Sequence, residues 1–136
     1  MLAMYVHSTR LEPFAWALVH GIKGAETRTR NMLKALVGQR VLVVETRSGR
    51  SPMVVGSVFV YASEFIPADK FDEYRDYVCI AEGSKYDCRG KGKWFYHVTD
   101  PIPCEPFPLP ADRVNHGRSY CEVNVEINFH DCEKNS

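Results

Sequence analysis

Apolar positions along the chain switch between two periods, and the switches predict the elements. From Glu12 to His20 the residues Phe14, Ala15, Leu18 and Val19 recur at helical spacing. Pro13 suits a first helical position and Gly21 a C-terminal stop, so a short helix is predicted there. Ala25 to Arg30 alternates threonine with charge, which predicts a strand carrying Glu26, Arg28 and Arg30 on one face. Asn31 to Leu36 reads as one helical turn. The run Val41, Leu42, Val43, Val44 within Arg40 to Glu45 predicts a buried strand, and Met53 to Ala62 a second, with Gly56 at a bulge or bend. Pro67 to Glu82 predicts a longer helix, with Phe71, Tyr74, Tyr77, Val78 and Ala81 on its apolar stripe and Asp69, Asp72, Glu73 and Asp76 outside it. Residues 83–93 have the composition of a loop, and Trp94 to Val98 resumes as a strand. Pro101, Pro103, Pro106, Pro108 and Pro110 predict an extended, polyproline-like connection, and the alternation from Ser119 to Phe129 a closing strand.

The absence of repeated strand–helix alternation favours a small curled sheet or barrel of the α+β class over a doubly wound fold. A chain of 136 residues with 45% hydrophobic and 25% charged content fits one globular domain, spanning 1–136. The N-terminus lacks a cationic start and sustained apolar run, and no stretch approaches the length of a membrane helix. Five cysteines, odd in number and without a CxxC pair, argue against a disulfide framework or zinc knuckle. An intracellular location, cytoplasmic or nuclear, is expected, with no membrane partner.

Net charge is zero, but its distribution is uneven. Between Lys23 and Arg50 lie seven basic residues (Lys23, Arg28, Arg30, Lys34, Arg40, Arg47, Arg50) against Glu26 and Glu45. Lys85, Arg89, Lys91 and Lys93 form a second basic patch opposed by Asp87. Basic faces of this kind suit a phosphate backbone, and they equally suit a solvated surface.

The run Pro13 to Arg30, PFAWALVHGIKGAETRTR, resembles the signature of the ASCH family, Gly-x-Lys-x-x-Glu-x-Arg after a short helix, with Gly21, Lys23, Glu26 and Arg28 in the defined positions. The resemblance implies a PUA-like β-barrel of about five to six strands with two or three helices. It also implies RNA binding, DNA binding, ribonuclease action or hydrolysis of acylated cytidine. The position three after the lysine, which resembles a nucleophilic threonine in the amidohydrolase branch, is Glu26 here, and Thr27 and Thr29 are out of register.

These readings define the candidate chemistry. Lys23 and Glu26 are the catalytic candidates if the chain is an enzyme: an ammonium can hold a phosphate or polarise a carbonyl, and a carboxylate can accept a proton. The competing role is a Glu26–Arg28 salt bridge that staples the strand. Arg28, Arg30 and Arg47 are candidate phosphate forks, Trp16 a base-stacking surface, and Lys91, in the loop RGKGK, a backbone contact. The histidines show no metal spacing, and no metal or cofactor is assigned. The expected partner is RNA or a nucleoside or nucleotide, with DNA and a coregulator-like protein-interaction role as alternatives. Lys23 and Glu26 are expected to act on the ligand and not to hold the fold, so that Lys23→Ala leaves stability nearly unchanged.

Overall fold

The computed structural model describes residues 1–124 together with Ile127 and Phe129. Among these residues seven strands form one sheet: β1 (Leu2–His7), β2 (Ala25–Arg28), β3 (Gln39–Thr46), β4 (Met53–Ile66), β5 (Lys93–Pro108), β6 (Arg113–His116) and β7 (Tyr120–Val123). Their order is β2-β5-β4-β3-β1-β7-β6; β1 and β3 run parallel and the other neighbouring pairs antiparallel. The α+β class expected from the sequence is the one adopted, and β1 and β6 add to the strands foreseen. No helix among the described residues is long and apolar enough to cross a membrane.

The middle strand explains its own apolar run. Val41 and Val43 enter one core layer with Met4, Val58 and Phe95, whereas Leu42 and Val44 enter the other with Ala3, Val54, Ile102 and Val123. A strand buried on both faces has no polar alternation to show. Helix α1 (Phe14–Val19) covers the first layer with Phe14, Ala15, Leu18 and Val19 and leaves Trp16 outside.

Curvature comes from β4 and β5, 14 and 16 residues long, whose pairing shifts register at three places. Bulges bend strands and increase their twist. The coiled sheet brings β2, at one edge, against β1, which is not its neighbour: the Arg28 guanidinium donates to the Tyr5 carbonyl at 2.6 Å.

Two sequence expectations are corrected here. The helix expected over 67–82 is broken into α2 (Ala68–Phe71), a 3₁₀ turn (Asp72–Tyr74) and α3 (Arg75–Val78), ending in a left-handed Cys79. Its end at Val78 follows from competition for carbonyls. Tyr77 O accepts from the Gly24 N–H at 2.8 Å and Val78 O from the Lys23 ammonium, so both acceptors that the next helical turn would use are taken by distant donors. The proline-rich stretch is also not a free connection. Residues 101–108 complete β5, pairing with β4 through Ile102↔Ser57, Pro103↔Gly56 and Pro108↔Met53. β2 covers β5 only as far as His97, so beyond it one edge of β5 is open and prolines are tolerated there. The closing strand is present as Tyr120–Val123, and part of its expected continuation lies outside the described residues.

Segment 83–93 is tied down by Asp87, which accepts from the N–H groups of Gly83 (2.9 Å) and Cys88 (2.7 Å) and pairs with Arg75 at 3.1 Å. The Gly83 and Cys88 hydrogen bonds and Arg75 hold its carboxyl down at about 2 against the effect of burial, the Gly83 bond contributing most. Tyr86 meets Phe14 of α1 edge-on at 5.2 Å.

At Gly56 the β4 backbone approaches that of β5 closely. Its φ is +156°, and an added Cβ would meet Ile102 O at 2.4 Å and Val19 Cγ1 at 2.9 Å. Gly38 (φ +87°) has open space around it. Gly56→Ala is expected to cost at least about 2 kcal/mol in denaturant unfolding and Gly38→Ala about 1 kcal/mol, backbone strain alone. Equal costs would mean that the β4–β5 approach does not require the glycine.

Candidate functional site

The left-handed Gly21 (φ +74°) turns the chain back under α1, where Ile22 and Lys23 both donate their N–H to Ala17 O at 2.9 and 3.0 Å. This turn sends the Lys23 side chain inward. β2 follows at once, and its period of two carries Glu26 and Arg28 on the same face. All three side chains line one cavity of about 640 Å³, bounded also by Tyr5 and His7 of β1, Phe14, Tyr86, Lys93 and the β6–β7 turn.

The Lys23 side chain is fully buried. Its ammonium donates to Val78 O, lies 4.5 Å from the Phe14 ring centre and 3.9 Å from Glu26 Oε1. Burial pulls its pKa down to about 8, against the opposing pull of Glu26. Glu26 is paired with Arg28 at 2.7 Å and accepts from the Thr27 N–H at 3.1 Å. Burial pushes its carboxyl upward, but the charges of Arg28 and Lys23 and these hydrogen bonds outweigh it and hold the group below the usual carboxylate range. Arg28 is spent on protein groups: Glu26, Thr27 O at 3.0 Å and Tyr5 O at 2.6 Å.

Other cavity residues have free valence. Lys93 is only 5% exposed, and its ammonium makes no hydrogen bond or ion pair among the described residues. Burial lowers its pKa, with Glu26 opposing. The Tyr86 hydroxyl is buried without a hydrogen-bond partner among the described residues, and burial raises its pKa. Lys85 and Arg118 stand exposed at the mouth, so among the described residues Lys23, Arg28, Lys85, Lys93 and Arg118 face Glu26 as the one lining carboxylate. On the far wall His7 Nδ1 lies 3.3 Å from the Thr46 hydroxyl.

Of the residues singled out from the sequence, Lys23, Glu26 and Arg28 come together. Trp16 is 48% exposed, stacked on His20 at 4.5 Å, and does not line the cavity. Arg30 and Lys91 are exposed outside it. Arg47 pairs with Glu45 at 2.8 Å beside a separate depression of about 220 Å³. Lys85 and Lys93 belong to the second basic patch read from the sequence, though only Lys91 of that patch is a chosen site residue; Tyr86, Arg118 and the His7–Thr46 pair have no sequence reading as site residues. Lys93 was readable in principle, because it stands two before Phe95 and four before His97, on the buried face of β5. The others meet Lys23 only through tertiary closure.

Because Lys23 lies inside the protein, its removal has a cost that a surface lysine would not have. The expectation that Lys23→Ala leaves stability untouched does not survive that burial. A pH test follows. The folded pKa of Lys23, about 8, lies below its ordinary 10.5, so between these values the unfolded chain holds a proton that the folded chain has released. Stability therefore rises with pH in that window. Relative to Lys23→Met, the wild type is expected to gain up to roughly 1 kcal/mol per pH unit above about pH 8 in chemical denaturation. Parallel curves for the two proteins would show an unshifted lysine.

No protein-family model and no curated protein matches this sequence. Solved structures do. The ASCH protein of Zymomonas mobilis superimposes with a TM-score of 0.57 at 18% identity, covering 79% of this chain and 73% of that one. A tyrosine-to-phenylalanine mutant of it gives 0.63 at 21% identity over 79% and 75%. A serine-to-alanine mutant gives 0.69 at 20% identity over 90% and 87%. The shared property at such identities is the arrangement of the backbone, and this chain has the fold of an ASCH domain.

Proposed function

We propose that the cavity binds RNA or a nucleotide, gripping phosphate with lysines and holding a base or ribose against the aromatic wall. The observation that carries the reading is the charge balance of the lining, five cationic side chains to one carboxylate, with Lys93 unpaired inside. A buried ammonium without a partner is costly in the empty protein, and an entering phosphate oxygen is the group that offsets that cost. Phe14, Tyr5 and Tyr86 offer ring surface, and the free Tyr86 hydroxyl offers a donor to a sugar or phosphate oxygen. The ASCH resemblance of the Gly21, Lys23, Glu26, Arg28 motif points the same way.

Hydrolysis of RNA or of acylated cytidine is a second reading, favoured by Lys23. A lysine with a pKa near 8 has a neutral fraction at neutral pH and can take a proton, and Glu26 beside it can orient water. Arg28 positions Glu26 in either case.

The test is titration of the full chain with cytidine 5′-monophosphate and a short single-stranded RNA. Lys93→Gln is expected to weaken both by at least about tenfold while leaving the fold as stable or more so, since it removes a buried charge. Unchanged affinity in Lys93→Gln would end the phosphate assignment. Lys85→Ala combined with Arg118→Ala is expected to flatten the salt dependence of RNA binding with little effect on stability. Incubation with RNA and with N4-acetylcytidine addresses the second reading: product formation lost in Lys23→Met supports it, and no turnover by the wild type removes it.

A further inference from the structure

A second cavity, also about 640 Å³, opens elsewhere on the molecule and shares no lining residue with the first. Tyr61, Tyr74, Tyr77, His97 and Glu64 wall it, and no lysine or arginine among the described residues does. The rings stand at angles to one another. Tyr74 and Tyr77 are 6.3 Å apart at 61°, Tyr77 and His97 5.6 Å at 42°, and Tyr61 and His97 5.8 Å at 28°.

Hydrogen bonds fix this arrangement. With the neutral imidazole protonated on Nε2, His97 donates to Glu64 Oε1 at 2.7 Å and accepts the Tyr77 hydroxyl proton on Nδ1 at 2.6 Å, satisfying all three groups. Burial first, then Tyr61, raises the pKa of the Tyr77 phenol, so it stays uncharged. The Glu64 side chain is 53% exposed, which leaves its carboxylate open to a ligand. Tyr74 and Tyr77 lie in a segment that also carries Asp69, Asp72, Glu73 and Asp76; of its two cations, Arg75 is engaged by Asp72 and Asp87, and Lys70 does not line the cavity. Ring faces carry negative potential, and set beside a carboxylate with no competing cation they attract positive charge.

We propose that this cavity is an aromatic cage for an alkylated ammonium group, with Tyr61, Tyr74 and Tyr77 supplying ring faces and Glu64 the counter-charge. Alkyl groups favour such a ligand over a bare ammonium, because they are weakly hydrated and bury apolar surface against the rings. The assignment does not depend on what the first cavity binds.

The probes are tetramethylammonium chloride and its neutral counterpart 3,3-dimethyl-1-butanol, titrated into the full chain and followed through the Tyr61, Tyr77 and His97 resonances. The ammonium is expected to shift them saturably and to bind at least about tenfold more tightly than the alcohol. Tyr61→Ala, at a half-exposed position, and Glu64→Gln are each expected to weaken it by about tenfold. A trimethyllysine peptide that saturates at lower concentration than tetramethylammonium makes the source a modified protein side chain, and the reverse order makes it a free small cation. Equal binding of alcohol and ammonium, no saturation by either cation at millimolar concentration, or unchanged affinity in both variants would overturn the proposal.

Discussion

The Arg28 guanidinium holds the curled sheet together where it matters for the cavity. It sits on β2, an edge strand, and reaches the Tyr5 carbonyl on β1, a strand with which β2 shares no ladder. The same group neutralises the buried Glu26, and Glu26 in turn partly compensates the buried Lys23. None of the three charges is stable there alone, since removing one partner of a buried pair leaves an uncompensated ion. The GxKxxExR spacing is thereby both a seam and a lining, and the staple and the site are the same residues.

That seam sets the electrostatics of what remains. Glu26 is already engaged by Arg28, so it has little left for Lys93, and Lys85 and Arg118 add charge at the mouth. In a partly desolvated cavity such an excess is felt far more strongly than in water. Lowered pKa values at Lys23 and Lys93, both caused first by burial, are the signature of the cost of holding two ammonium groups away from water. An anion entering the cavity relieves it, and by linkage any such ligand stabilises the fold.

How much of this could be read from the chain depended on whether local pattern and tertiary demand agreed. They agreed for β3, whose four consecutive apolar residues are buried on both faces, for α1, and for the turn that delivers Lys23. They disagreed where distant groups intervened. The amphipathic stripe from Phe71 to Val78 is real, but Gly24 and Lys23 claim the carbonyls that would have continued the helix. The prolines after Asp100 discouraged a strand reading, yet they fall where β5 has an open edge. Arg47 and Trp16 carried suitable chemistry and no positional signal, and the fold leaves them outside the cavity; Lys85, Tyr86 and Arg118 join it only through closure of the sheet.

The turn Arg75–Val78 ties these observations to one stretch of backbone. On one side Val78 O receives the Lys23 ammonium and Tyr77 O the Gly24 N–H, so the turn anchors a lysine that lines the basic cavity. On the other side the Tyr77 ring lines the second cavity and hydrogen-bonds His97. Gly24 has to be glycine for both, since an added Cβ would fall 2.0 Å from the Tyr77 ring. β5 repeats the pattern, with Lys93 in one cavity and His97 in the other. The described linings of the two cavities are thus of opposite electrical character, basic in the first and acidic in the second. A displacement of Tyr77 would act directly on the next residue, whose carbonyl holds the Lys23 ammonium, because close-packed interiors transmit such shifts.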